Sequence, residues 1–297
     1  MKVLLLNIDS KLPNIALHKI ALYHESKGDE VVWDMPMMLN SCDKVYASCI
    51  FVKNRWVCEN YRGLRPDLII GGTGYDLTVK LPPEIEEMKP KINVGFTTRG
   101  CIRNCSFCFV PKAEGKIRIV GDIYDLWDGD SKCLTLLDNN ILAVPDHFKG
   151  ICQQIKRENI TVDFNQGLDI RLVTPEICDS LFSVKVLHSR RRFAFDFPGL
   201  AETIKSKVAL MREYAPREMF FFYVLVGYNT TFEEDLFRLN LLRELNCRAY
   251  VMRHASTPKE RRYTRLAEWA NQIWTFAKYD FQTFCDEYVK DKGGKPL

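Results

Sequence analysis

The chain has 297 residues, 46% apolar and 27% charged, with a formal net charge of +4. That length supports one large core or two smaller ones, and the composition is that of a globular protein. So modest a charge disfavours a surface built to wrap a long nucleic acid, and no apolar run approaches a membrane span.

Lys2–Ile8 is a short run rich in Val, Leu and Ile and predicts a buried strand. Asn14–Lys27 carries Ile15, Leu17, Ile20, Ala21 and Leu22 at helical spacing and stops at Gly28. Glu30–Asp34, Lys44–Val52 and Pro66–Ile70 read as further strands, the last running into Gly71–Gly72–Thr73–Gly74. This alternation predicts a small open parallel sheet over residues 1–91. Leu81–Lys91, with three prolines and many charges, reads as the linker that ends it.

From Ile92 a second series begins. Its predicted strands are Asn93–Thr97, Cys133–Leu137, Thr161–Phe164, Phe193–Phe197, Met219–Val226 and Arg248–Met252. Helical patterns lie between most of them, at Pro145–Glu158, Leu200–Tyr214 and Thr231–Leu245. Six β–α repeats in succession predict an α/β fold whose parallel sheet curls into a partial or complete barrel over residues 92–260. Residues 261–297 form a C-terminal helical segment, with Leu266, Trp269, Ile273 and Phe276 on one side of Arg261–Tyr288.

There are eleven cysteines. Cys133, Cys152, Cys178 and Cys247 are scattered through apolar patterns and read as small buried thiols. A chain this long needs no disulfides, and Met1–Ile8 is too short for a signal peptide's apolar region, so a cytoplasmic location is expected. Cys101, Cys105 and Cys108 differ, because they crowd into eight residues just after the first strand of the second series. Thiolates are the preferred ligands of iron–sulfur clusters, and three of them leave one iron of a [4Fe–4S] cubane open for a substrate. Zinc would normally take a fourth protein ligand from a second cysteine pair, and no such pair is present.

The C-x3-C-x-aromatic-C spacing, with Phe107 in the aromatic slot and β–α units following, resembles the radical S-adenosylmethionine superfamily. The resemblance covers residues 92–260. It implies a [4Fe–4S] cluster on Cys101, Cys105 and Cys108, S-adenosylmethionine on the open iron, and its reductive cleavage to methionine and a 5′-deoxyadenosyl radical. It also implies an electron donor such as flavodoxin or ferredoxin. Further S-adenosylmethionine contacts are expected from Phe107, from Asp138 and Asn140 after the second strand, from Asn165, Gln166 and Arg171 after the third, and from Val226 and Gly227 at the end of the fifth. Asp-Asn-Asn also suits a plain turn, and Arg171 could instead pair with Asp169. Arg192 and Asp196, on alternate positions from Phe193, Phe195 and Phe197, are candidates to bind substrate, since charges facing a barrel interior are costly unless they bind something.

Residues 1–80 resemble the cobalamin-binding-like domain found ahead of many such barrels. The D-x-H-x-x-G element that gives cobalt a histidine is missing, and His18 and His24 lie on the first helix, so bound cobalamin is not expected. Asp9, Ser10 and Asn14, at the end of the first strand, are candidates to bind substrate there. In size and layout the chain is similar to queuine lyases, which implies a small nucleoside or nucleotide substrate, queuosine or its 5′-phosphate. Arg190–Arg191–Arg192 and Arg261–Arg262 are then candidate phosphate contacts. Three alternatives stay open. A tRNA methylthiotransferase would use further cysteines such as Cys42, Cys49 and Cys58, and tRNA as substrate. A cobalamin-dependent radical methyltransferase is the second, and a non-enzymatic iron–sulfur redox sensor the third.

Overall fold

The computed structural model describes residues 1–288. The chain forms two compact units, Met1–Gly95 with Gly121–Ser131, and Phe96–Val120 with Lys132 onward. Both are α/β, built on parallel strands.

The first unit runs β1 (Lys2–Asn7), α1 (Ile15–Ser26), β2 (Glu30–Trp33), β3 (Lys44–Ser48), α2 (Arg55–Leu64), β4 (Ile69–Gly71), α3 (Pro83–Glu86) and a short β5 (Val94–Gly95). Strands β1 to β4 make a parallel sheet in the order β2-β1-β3-β4. An unbroken apolar run suits β1 because both its faces are buried. Leu4 and Leu6 pack with Val45, Ala47, Cys58 and Ile70, while Val3 and Leu5 pack with Leu17, Ile20 and Ala21 of α1. Strand β3 stops at Ser48, four residues before the expected end at Val52. The reason is Asp9, whose carboxylate accepts the backbone N–H groups of Ile50 (2.7 Å) and Phe51 (3.0 Å) and draws the chain out of the sheet. Helix α2 faces the core with Cys58, which is buried, and Tyr61, which is half-buried against the same cluster.

In the second unit β6 (Thr98–Arg99) pairs antiparallel with β7 (Arg118–Ile119), with α4 (Val110–Glu114) between them. The run continues through β8 (Cys133–Leu136), α5 (Pro145–Arg157), β9 (Thr161–Phe164), α6 (Pro175–Leu181), β10 (Arg192–Ala194), α7 (Ala201–Tyr214), β11 (Phe221–Val226), α8 (Phe232–Glu244) and β12 (Arg248–Arg253). Strand β8 pairs parallel with β9, and β10, β11 and β12 pair parallel in that order. Parallel bridges Val162–Val186 and Leu168–Phe193 link the β9 segment to β10. The expected strand Asn93–Thr97 is broken, because the backbone N–H groups of Thr97 and Thr98 donate to the Asp138 carboxylate instead of a strand ladder. The expected single helix at Arg261–Tyr288 is divided into α9 (Arg261–Asn271), α10 (Ile273–Lys278), α11 (Phe281–Thr283) and a π-turn at Phe284–Tyr288. Gln272 takes extended dihedrals, and Asp280 caps the next turn by accepting from Thr283 N–H at 2.8 Å. Residues 289–297 of the expected C-terminal segment lie outside the described residues. No helix among the described residues is long and apolar enough to cross a membrane.

Helix α8 is tied to the strands by a pair of fully buried charges, Asp235 and Arg238. Arg238 donates to the carbonyls of Phe195 (2.6 Å) and Leu225 (2.7 Å), and Asp235 accepts from Gly227 N–H (2.9 Å). The helix starts with a Thr231–Glu234 capping box. Removing one partner of such a pair strands the other charge in the core. Asp235→Ala should therefore lower stability by about 3–5 kcal/mol, read as a fall in the denaturant midpoint; an unchanged midpoint would show the pair to be dispensable.

Candidate functional site

The cysteine loop leaves β6 through Gly100, which has φ +81°; a Cβ there would lie 2.3 Å from the Lys116 carbonyl oxygen. Only glycine fits such a conformation and approach. Gly100 N–H donates to Glu114 Oε2 (2.9 Å) and Cys101 N–H to the Gly115 carbonyl (3.2 Å). Glu114 also accepts from Asn139 Nδ2 (2.8 Å) and pairs with Arg99 (3.0 Å). The segment Cys101–Glu114 is thus a loop closed at its neck.

Inside it Cys101, Cys105 and Cys108 are all half-exposed free thiols. Cys108 N–H donates to the Cys105 carbonyl at 3.0 Å, a tight turn that sets these two near each other. Cys101 Sγ accepts from Arg103 N–H (3.3 Å) and Asn140 Nδ2 (3.5 Å). Burial pushes the Cys105 and Cys108 thiols up; the Arg171 guanidinium opposes this at Cys105 and the Val110 backbone N–H opposes it at Cys108. Among the described residues no three His, Cys, Asp or Glu side chains converge on one metal ion.

Beyond the end of β8, Asp138 Oδ1 accepts from Thr97 N–H (3.0 Å), Thr97 Oγ1 (2.8 Å), Thr98 Oγ1 (2.6 Å) and Thr98 N–H. Its Oδ2 is buried with no hydrogen-bond partner among the described residues, and the same holds for Asn140 Oδ1. Two buried acceptors without a donor sit beside the cysteine loop; an ammonium, which has only donors, would complete them. Burial pushes the Asp138 carboxyl up, against the hydrogen bonds from Thr98 and Thr97.

Asp169, also buried, binds Arg171 Nε (2.6 Å) and Nη2 (3.0 Å), Arg103 Nε (2.8 Å) and Asn140 Nδ2 (3.4 Å). So the Arg171–Asp169 pair exists, and it carries a third member from the cysteine loop. Asp196 accepts from Leu225 N–H (3.2 Å), and burial pushes its carboxyl up. Phe107 packs on Phe197 and Tyr228, with ring centroids 5.9 and 5.6 Å apart, and Tyr228 on His254 at 4.5 Å.

The remaining expected residues have other partners. Asn165 donates to Asp163 (3.4 Å), its carbonyl accepts from Tyr223 Oη (3.2 Å), and Gln166 is exposed. The Arg192 guanidinium is taken by Asp163 and the Phe164 carbonyl. The Val226 carbonyl accepts from Thr257 Oγ1 (2.9 Å); Gly227, at φ +70°, makes room for Thr257 itself and its carbonyl accepts from Ser256 Oγ (3.0 Å). Arg191 is bidentate to Glu218 (2.6 and 2.7 Å) and donates to the Leu181 and Val184 carbonyls, which makes it part of the scaffold rather than a phosphate contact. Arg190 precedes β10 and so lies at the opposite strand end from Asp196, its guanidinium over Phe221. Arg262 pairs with Glu260 and lies over the Phe232 ring.

In the first unit the Asp9 carboxylate also accepts from Asn54 Nδ2 (2.9 Å), and these donors hold it below the usual range against the effect of burial. Ser10 Oγ donates to the Leu12 carbonyl (2.7 Å). Asn14 caps α1 and donates to Ser48 Oγ (2.8 Å). Cys42, Cys49 and Cys58 lie buried in an apolar core, and burial pushes Cys58 up to about 12, where the thiol keeps its proton. His24 is buried against Asp29 (2.7 Å) and Tyr46 (3.3 Å), and His18 stacks on Trp33. Sequence reasoning missed Arg103, Glu114, Asp163, Asp235 and Arg238; the one available signal was a cationic residue set between two of the clustered cysteines, at Arg103.

No protein-family model matches the chain. It is similar to the tRNA-2-methylthio-N(6)-dimethylallyladenosine synthases of Flavobacterium johnsoniae and Flavobacterium psychrophilum, 32% identical to each over 139 residues. The match covers 35% of this chain and 29% of the length of each relative.

Asp138 yields a pH test. Unfolded, it titrates near the ordinary carboxylate value of about 3.9; folded, burial makes it hold its proton to higher pH. The unfolded chain releases the proton first, so the native state loses stability as pH rises from about 4 to the raised value and then levels off. Asp138→Asn should remove that slope, so that the variant gains on the wild type across this window in denaturant titrations of the apo-protein. A difference independent of pH would contradict it.

Proposed function

We propose that the chain is a radical S-adenosylmethionine enzyme, with Cys101, Cys105 and Cys108 holding the cluster. The observation that carries this reading is the three half-exposed thiols on one necked loop, beside buried acceptors on Asp138 and Asn140 that lack a donor. The similarity to the methylthio synthases supports placement in the radical S-adenosylmethionine superfamily. The parallel run β8 to β12 with its crossover helices is consistent with a partial barrel. Bound on the three thiolates, a [4Fe–4S] cluster with S-adenosylmethionine would supply reductive cleavage to methionine and a 5′-deoxyadenosyl radical, the electron coming from a flavodoxin or ferredoxin. The protein's own part is to bind and shield. Asp138 and Asn140 would take the methionine ammonium, Arg171 the carboxylate, and Phe107 with Tyr228 would close the loop against water.

For the substrate we propose a small nucleoside or nucleotide, with release of queuine from queuosine or its 5′-phosphate as the reaction to test first. The modest net charge supports a small substrate. A second reading, action on tRNA, is favoured by the similarity to the synthases. Burial of Cys42, Cys49 and Cys58 in the apolar core speaks against a further cluster on those three thiols.

Anaerobically reconstituted protein should bind about four irons per chain. Changing all three loop cysteines to alanine should abolish iron binding and 5′-deoxyadenosine formation together. Tight zinc binding without iron in the wild type would falsify the cluster. Incubation under reducing conditions with queuosine, its 5′-phosphate and intact tRNA separates the substrates: free queuine identifies the lyase, whereas a methyl or methylthio product on tRNA alone overturns that reading and leaves the cluster standing.

A further inference from the structure

The Asp169 carboxylate is the most heavily used side-chain acceptor that binds the cysteine loop directly. Oδ1 takes Arg171 Nε and, at 3.3 Å, Arg171 N–H; Oδ2 takes Arg171 Nη2, Arg103 Nε and Asn140 Nδ2. Its donors come from three places in the chain: the loop between Cys101 and Cys105, the segment after β8, and the turn after β9. Two of them also touch a ligand sulfur. Arg103 through its backbone N–H and Asn140 through Nδ2 both donate to Cys101 Sγ. Arg171 is close enough to Cys105 to oppose the rise of its thiol.

Asp169 carries one negative charge against two guanidiniums, so the trio is net positive next to three thiols that must give up their protons to bind metal. Both arginines remain about one-third exposed, with side-chain exposures of 33% for Arg103 and 32% for Arg171, while the carboxylate between them is 7% exposed. Arg103 uses only Nε on Asp169, and Arg171 uses Nε and Nη2. Each guanidinium therefore keeps N–H groups that the carboxylate does not take. A planar fork held through one edge presents the rest at a defined angle.

Resting on the cluster reading above, we propose that Asp169 is a positioning residue for the cysteine loop. Its carboxylate fixes Arg103 and Arg171 together, so that their remaining donors form a paired cationic clamp for the anionic group of the ligand bound beside the cluster. It also limits the positive charge the cluster feels. Two consequences follow. Loss of the carboxylate frees both arginines, so ligand affinity falls although neither arginine is removed. Loss of its negative charge leaves the neighbourhood more positive, which favours the reduced cluster and raises its midpoint potential.

The test uses the full chain, reconstituted anaerobically, as wild type, Asp169→Asn, Asp169→Glu, Arg103→Ala and the Asp169→Asn/Arg103→Ala double variant. Iron content, S-adenosylmethionine affinity by equilibrium dialysis, the midpoint potential and the reduced cluster's EPR signal with and without S-adenosylmethionine are measured for each. Asp169→Asn should weaken S-adenosylmethionine binding roughly 10- to 100-fold, as loss of an outer-shell partner does, raise the potential and blunt the ligand-induced EPR change. Asp169→Glu should restore most of the affinity. The double variant should bind no more weakly than the worse single one, because both act through one contact. Loss of iron from Asp169→Asn with retention in Asp169→Glu also supports the role. Wild-type potential and affinity in Asp169→Asn, additive losses in the double variant, or equal loss of iron in Asp169→Asn and Asp169→Glu overturn it. Failure of the wild type to bind iron instead removes the cluster reading itself, and the two failures are distinguishable.

Discussion

The candidate site depends on one constraint, the common direction of the strands β8 to β12. β8 and β9 run parallel in one sheet and β10 to β12 in another, and the parallel bridge Leu168–Phe193 links the two, so the chain exits at their carboxyl ends share a side. Asp138 and Asn140 leave β8 there, Asp169 and Arg171 leave β9, and Asp196 leaves β10. Residues at the amino ends are withdrawn from that edge by the same rule, which is why Arg190 and Arg191 serve an aromatic ring and a structural glutamate. The cysteine loop belongs to the carboxyl edge through Arg103 with Asp169, Cys101 with Asn140, Glu114 with Asn139, and Phe107 with Phe197 and Tyr228.

Buried charge holds this second unit together to an unusual degree. Arg238 with Asp235, Arg192 with Asp163 and Arg191 with Glu218 are all largely shielded from solvent, and each arginine also donates to at least one backbone carbonyl. A buried ion pair rarely stabilises more than a well-packed apolar pair would. What it adds is direction: a guanidinium held by carbonyls and a carboxylate at fixed angles favours one arrangement of the strands around it.

The parts legible in the sequence were those set by local periodicity. Continuous apolar runs marked β1 and the strands of the second unit, and helical spacing marked α1, α5, α7 and α8. Parallel α/β architecture followed from their alternation. Features set by side chains reaching across the sequence were not legible. Asp9 cuts β3 short from about forty residues away, and Asp138 draws Thr97 out of an expected strand. Among candidate residues, the close crowding of Cys101, Cys105 and Cys108 was plain because it needs no tertiary knowledge. Gly227 was expected to contact S-adenosylmethionine, and the group packed against it here is Thr257. Arg192 was singled out as a charge in need of a partner, and the partner is Asp163, one strand away.

The neck at Gly100 separates two problems that a cofactor loop must otherwise solve at once. Closure is handled entirely by Gly100, Cys101, Glu114, Gly115 and Lys116, through backbone groups and one carboxylate. The residues between Cys101 and Glu114 contribute little to that clasp and are held by contacts of their own, Arg103 to Asp169 and Phe107 to Phe197 and Tyr228. Loop-closure entropy grows only slowly with length, and a longer segment would cost the clasp little. Such a loop has its mouth and its interior fixed by different contacts: the glycine and the glutamate set the entry and exit, while Arg103 and Phe107 seat the interior on Asp169, Phe197 and Tyr228.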